Sequence, residues 1–155
     1  MWHRLYVHIA WTTRDRAPLI DAGFAAYLCR FLRDVAAQER TLILNVGIVS
    51  NHVHLLARLH PTTTLPRLMQ RLKGGSSALA SRERRTVDGR NLKWDSGYAI
   101  RSVSPGALDA VRAYLRAQPQ RHPELAIPGW EGDEPRPDWG GVGEWIGPER
   151  RELRT

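Results

Sequence analysis

An α+β fold with one four-stranded antiparallel sheet is predicted by three observations. Stretches with strand-like alternation or short branched apolar runs are interleaved with stretches whose apolar residues recur at helical spacing, bounded by turn residues. Two of the strand candidates are joined only by Ser50-Asn51, which requires an antiparallel hairpin. The resulting order, β-α-β-β-α-β followed by one more helix, is the ferredoxin-like arrangement: a four-stranded antiparallel sheet with helices on one face.

The first strand is predicted over residues 2–11, with Leu5, Val7, Ile9 and Trp11 on one face and Arg4, Tyr6 and His8 on the other. A polar basic loop, residues 12–18, follows. From Asp21 to about Arg40, Phe24, Leu28, Phe31, Leu32 and Val35 mark a long amphipathic helix with Asp21 as its cap. Residues 42–49 and 52–59 supply the hairpin strands. Beyond Pro61 a second helix is predicted, its core face carried by Leu65, Leu68, Met69, Leu72, Ser76 and Leu79. Arg67, Arg71, Arg82 and Arg85 gather on its far side, and Gly74-Gly75 predicts a kink or a close approach by another backbone. A polar connection leads to a fourth strand over residues 94–103. Ser104-Pro105 then starts a helix through Leu108, Val111 and Leu115, and Pro119 makes Gln118 its expected last residue. Two regions result: a domain over residues 1–122, and a Pro/Gly/Trp-rich tail over residues 123–155 with no sustained period, which Trp130, Trp139 and Trp145 would dock.

At 155 residues and 17.6 kDa the chain is one domain in size. It has no apolar run long enough to span a membrane and no secretory leader pattern, so a cytoplasmic address is expected. Cys29, the single cysteine, excludes internal disulfides and Cys-rich zinc sites and is expected to be an inert buried thiol. Charge is uneven. The tail holds eight acidic and four basic side chains, net −4, which leaves 19 basic against eight acidic in residues 1–122, net +11. A body that cationic favours polyanions, nucleic acid first.

His52 and His54 stand two apart in the third strand, so both imidazoles project from one face toward one point, a metal-ligand geometry. On the last helix Tyr114 and Gln118, four apart, share a face at the margin of the apolar stripe.

These features occur together with Trp11-Thr12-Thr13-Arg14, Asn51-His52-Val53-His54-Leu55-Leu56, Leu72-Lys73-Gly74 with Ser76-Ser77, Gly97-Tyr98, Ser102-Val103-Ser104 and Tyr114-Leu115-Arg116-Ala117-Gln118-Pro119. In that order, over roughly residues 3–122, the chain resembles the IS200-like single-tyrosine transposases, His-hydrophobic-His nucleases of single-stranded DNA. The resemblance implies His52 and His54 as metal ligands, Tyr114 as nucleophile and Gln118 as the amide completing the metal site. It implies cleavage of single-stranded DNA beside hairpins through a 5′-phosphotyrosine link that leaves a free 3′-OH, then strand rejoining. It also implies a homodimer in which a tyrosine helix can serve the partner's histidine pair. Arg121-His122 stands where many relatives carry two adjacent histidines.

The chemistry suits those residue types on its own terms. A divalent metal stabilises charge developing on phosphoryl oxygens, and two imidazoles with one amide oxygen leave coordination positions open. Mg²⁺ or Mn²⁺ suits such a site, with Zn²⁺ as the alternative. A covalent phosphotyrosine conserves the bond energy, so no nucleotide cofactor is expected. DNA contacts are expected from Arg14, Arg16, Arg67, Arg71, Arg82 and Arg85, with Trp94 or Tyr98 stacking on an unpaired base. Two alternatives stand beside this reading: a domesticated processor of repeated palindromes, and a non-catalytic nucleic-acid-binding ferredoxin-like domain.

Overall fold

The N-terminal alternation forms strand β1, Leu5–Thr12, in a computed structural model that describes residues 3–83, 86–87 and 89–138. Val7, Ile9 and Trp11 enter the main core, and the even-numbered residues face the other way. Helix α1, Ala22–Gln38, follows, and Asp21 Oδ1 accepts the Phe24 amide at 2.8 Å as its cap. Strands β2, Leu42–Val49, and β3, His52–Leu59, form the expected hairpin. The sheet order is β2-β3-β1-β6, all antiparallel, with β6 at Ala99–Val103. This is the ferredoxin-like order.

The second helix is continuous. Segments α2, Leu65–Met69, and α3, Gly75–Arg82, are joined by a π-helical turn over Gln70–Gly74. At the glycine pair a side chain, not the expected backbone, makes the close approach: a Cβ at Gly75 would sit 2.8 Å from Phe31 Cζ of α1. Leu68, Met69, Leu72 and Ala80 join Phe24, Leu28 and Leu32 over the face of the sheet that carries Ile9 and Leu55. Cys29 is buried in the same layer, and burial pushes its thiol up to about 12.

Three features differ from expectation. The fourth strand is shorter than the predicted stretch, because Asp95–Tyr98 leaves the sheet and Trp94 keeps only a single bridge to Thr13. The polar connection before it contains a two-residue ladder, β4 (Thr86–Val87) with β5 (Arg90–Asn91). The last helix divides into α4, Leu108–Arg116, and α5, Gln118–Arg121, because Pro119 fits the first turn of a new helix better than the interior of an old one. The helices of the β-α-β-β-α-β core lie on one face, as expected, and the last helix covers the other. Helix α4 lies on the second face, where Leu115 packs with Tyr6, Leu44 and Leu56. That second layer positions the site.

The described part of the tail is docked along the β2 edge. Ser50 N–H donates to Leu125 O at 2.8 Å and Arg136 N–H to Leu44 O at 2.7 Å, while Ile127 enters the core and Trp130 packs against it. Tail acids engage body cations: Asp133 pairs with Arg33 at 2.7 Å, and Asp138 with Arg58 at 2.9 Å and with the Tyr6 hydroxyl. Burial and the Asp138 carboxylate raise the Tyr6 phenol to about 12. Trp139 and Trp145 lie outside the described residues. No helix among the described residues is long and apolar enough to cross a membrane.

Candidate active site

On β3 the same-face rule places His52, His54, Leu56 and Arg58 on the α4 side of the sheet, with Val53, Leu55, Ala57 and Leu59 in the main core. The row through His54 is built from small residues: it pairs with Gly47 on β2 and Ala10 on β1, and Ala10 pairs with Ala99 on β6. At Gly47 a Cβ would lie 2.7 Å from Leu115 O and 3.3 Å from Gln118 Cγ. The missing side chain is what lets the α4–α5 junction settle beside the imidazoles. Gly47→Ala is expected to displace that junction, since a backbone oxygen cannot rotate away. The expected cost is about 1–3 kcal/mol of stability, read by thermal melting, with metal binding weakened in parallel.

Within one chain the fold brings together the four residues that the sequence singled out. Tyr114 lies edge-on to His54, ring centroids 5.6 Å apart. Gln118 is fully buried, with Oε1 3.1 Å from His52 Nε2. The histidine rings themselves are 5.0 Å apart.

The amides around His52 indicate which lone pairs point inward. Asn51 Nδ2 donates to Arg16 O at 3.2 Å, so its Oδ1, 2.8 Å from His52 Nδ1, accepts a hydrogen there. His52 Nε2 therefore presents a lone pair to Gln118 Oε1, an acceptor whose own Nε2 donates toward Tyr114 O at 3.4 Å. Two facing lone pairs need a cation or proton between them. Two ligand atoms, each about 2.1 Å from a divalent ion and cis to one another, lie about 3 Å apart, so the 3.1 Å spacing fits such an ion. Among the described residues no cluster of three or more His, Cys, Asp or Glu ligands is assembled.

Several site residues were not singled out from sequence. His8 Nε2 is 2.9 Å from His54 Nδ1, the outer partner a ligating imidazole usually has, and His8 also lies edge-on to Tyr114 at 5.8 Å. In the tautomer with His54 Nδ1–H donating to His8 Nε2, the His54 Nε2 lone pair faces the site. His122 sits edge-on to His52 at 5.3 Å, and the Arg121 guanidinium lies 4.7 Å over the Tyr114 ring. The alternation of β1 places His8 on the correct face, but only the β1–β3 register puts it beside His54.

Electrostatics keep the imidazoles neutral. Burial, then the neighbouring His52, His8 and His122, lowers His54 to about 3. Burial lowers His52 and His8 as well, helped by the Arg16 and Arg101 charges respectively. Because the folded chain binds these protons less readily than the unfolded one, stability is full above about pH 6.5 and falls as pH drops toward 3. Melting of the metal-free chain is expected to shift downward through that window. A flat profile there would contradict the burial.

The predicted nucleic-acid contacts separate into groups. Arg14 and Arg16 occupy the 3-10 turn after β1, exposed and on the site side, with Arg16 close enough to act on His52. Arg67 and Arg71 instead pair with Glu39 at 3.0 and 2.8 Å, in the layer on the other side of the sheet, where Arg82 also ends α3. Arg85 lies outside the described residues. Trp94 is committed to packing: its ring meets Trp11 edge-on at 5.8 Å and its Nε1 donates to Ser76 Oγ at 2.9 Å. Tyr98 is 41% exposed and lines a groove beside the imidazoles.

Comparisons with known proteins agree with this architecture. The family model described as Transposase IS200 like matches residues 1–118. The ISDra2 transposase TnpA of Deinococcus radiodurans is 28% identical over 120 residues, 75% of this chain and 85% of that protein. The structure of the REP-associated tyrosine transposase bound to a REP hairpin superposes with a TM-score of 0.59 at 11% identity, covering 91% of this chain and 94% of the other. A crystal structure from Deinococcus radiodurans R1 gives a TM-score of 0.56 at 23% identity, over 76% and 93%. With a family match over most of its length, the chain belongs to the IS200-like transposases.

Proposed function

We propose that this transposase nicks and rejoins single-stranded DNA beside hairpins, with Tyr114 as nucleophile and a divalent ion, Mg²⁺ or Mn²⁺, held by His52, His54 and Gln118. The observation that carries the reading is the convergence of a phenol, two neutral imidazoles and a buried amide oxygen within one chain. The superposable REP-associated transposase is bound to a hairpin, which supports hairpin DNA as the substrate class.

When bound, the ion supplies Lewis-acid stabilisation of charge on the phosphoryl oxygens. The chain's own residues do the rest. Tyr114 Oη attacks phosphorus, the P–O3′ bond breaks, and the 3′-oxygen leaves as a hydroxyl after gaining a proton. The phenolic proton leaves to solvent in the same step and balances the proton that the 3′-oxygen gains, because with His54 Nε2 facing the ion the His8 Nε2 lone pair is engaged by His54 Nδ1–H. Arg16, Arg101 and Arg121 ring the site and suit the flanking phosphates. In the reverse reaction a 3′-hydroxyl attacks the phosphotyrosine, so rejoining needs no nucleotide cofactor. Any homodimer is read as two such complete sites.

Incubation of the chain with a hairpin oligonucleotide and Mn²⁺ tests this reading. An SDS-resistant adduct, with the DNA 5′-phosphate mapped to Tyr114 by mass spectrometry, is the expected result. Hairpin DNA bound but never cut, with His52→Ala leaving affinity unchanged, would instead favour a non-catalytic binding domain.

A further inference from the structure

The segment that leaves the sheet after Trp94 is held in place by four hydrogen bonds. Trp94 Nε1 donates to the buried Ser76 Oγ at 2.9 Å, Asp95 N–H to Thr12 O at 2.9 Å, and Lys73 Nζ to both Asp95 O and Gly97 O at 2.7 Å. Lys73 reaches those carbonyls from the π-helical turn, and its ammonium also lies 6.0 Å from the Tyr98 ring centroid. The arm so fixed carries Asp95, Gly97 and Tyr98 along a groove of about 250 Å³, whose other walls include Ala10, His54 and Ala99. The floor is open because Ala10 and Ala99 continue the small-residue row through His54. Gly97 adds no bulk, since even a Cβ there would meet nothing within 4 Å. A volume below the ~300 Å³ of a drug-sized site suits a single planar base.

We infer that this groove is a subsite for one unpaired base, that of the nucleotide immediately 5′ of the cut, stacked on Tyr98 with its exocyclic amine read by Asp95. The inference rests on the nicking reading above for the position of the cut. Three observations support it. Tyr114 arrives on α4 from the β2 side and rests against His54 and His8, whereas the groove runs from His52 and His54 across Ala10 to Ala99 and is not lined by Tyr114. In an in-line displacement the attacking and leaving oxygens lie on opposite sides of phosphorus, so the nucleotide carrying the leaving 3′-oxygen is directed toward the groove. The wall chemistry also suits a base better than a phosphate: Tyr98 offers an exposed aromatic ring, and the exposed Asp95 carboxylate repels phosphate while accepting from cytosine N4 or adenine N6. The neighbouring Arg16 and Arg101 are left for the backbone.

The test uses the full chain carrying Tyr114→Phe and hairpin oligonucleotides with a single-stranded flank that the wild-type chain nicks. 2-Aminopurine is placed at successive positions of the single-stranded flank. Fluorescence is expected to change most at the position 5′ of the cut mapped with the wild-type chain. Adding Tyr98→Ala should remove that change and weaken binding about tenfold, the scale for one stacked base. Cytosine or adenine at that position should outbind thymine, and Asp95→Asn should erase the preference. Adduct formation by the wild-type chain with no Tyr98-dependent change at that position overturns the subsite and leaves the nicking reading standing. If no hairpin oligonucleotide is nicked, a Tyr98-dependent change at one position of its flank supports the base site while counting against nicking.

Discussion

Replacing Tyr114 with phenylalanine is expected to lower covalent adduct formation by at least about a thousandfold while leaving hairpin affinity and melting temperature close to wild type. The size follows from the role: removing a nucleophile removes the covalent route itself, not one contribution to it. The selectivity follows from the structure. Phenylalanine keeps the ring, and with it the edge contacts to His8 and His54 and the face under Arg121. Gel analysis of the adduct alongside a binding isotherm separates the two quantities. An adduct that forms unchanged would remove Tyr114 from its role.

The second large effect is expected for His54→Ala. It removes one of two imidazoles from the proposed ion site and strips His8 of its Nε2 partner. Mn²⁺ affinity, read by electron paramagnetic resonance of the free ion, is expected to fall about a hundredfold, and nicking to fall below detection at micromolar Mn²⁺. The same variant should flatten the acid-dependent loss of stability, because His54 has the lowest pKa of the cluster. Retained metal affinity together with a flattened pH profile would show that His54 is buried for packing and not for ligation.

Much of this arrangement is legible in the sequence because it is carried by short-range periods. Period-two alternation is enough to put His52 and His54 on one face, and a four-residue spacing is enough to put Tyr114 and Gln118 on another. What escapes is whatever depends on register or on the second layer. His8 reads as one more outward-facing residue of the first strand until the β1–β3 pairing sets it opposite Leu56 and diagonal to His54. The role of Gly47 is likewise invisible, since its reason lies 68 residues away at the Leu115 carbonyl. Helix α4 was expected, but its stripe of Leu108, Val111 and Leu115 does not say which face it covers. Only the apolar Tyr6, Leu44 and Leu56 on the reverse side of the sheet decide that. The tail has no period to read because it docks through backbone hydrogen bonds to β2 and through carboxylates to single arginines. Of the two rings expected to stack on a base, Trp94 is used against Trp11 and Tyr98 is the exposed one.

The central claim is that one chain assembles a complete site, with Tyr114 acting beside the imidazoles of its own sheet. Co-expression of His54→Ala and Tyr114→Phe chains, purified together so that any dimer forms as a mixture, tests it most directly. Each chain then lacks one half of its own site, and a mixed pair could form a complete site only by lending a tyrosine helix across subunits. The account predicts no adduct above the level of either variant alone. Recovery of a quarter or more of wild-type adduct in the mixture would show that the tyrosine serves the partner's histidine pair, and would contradict it.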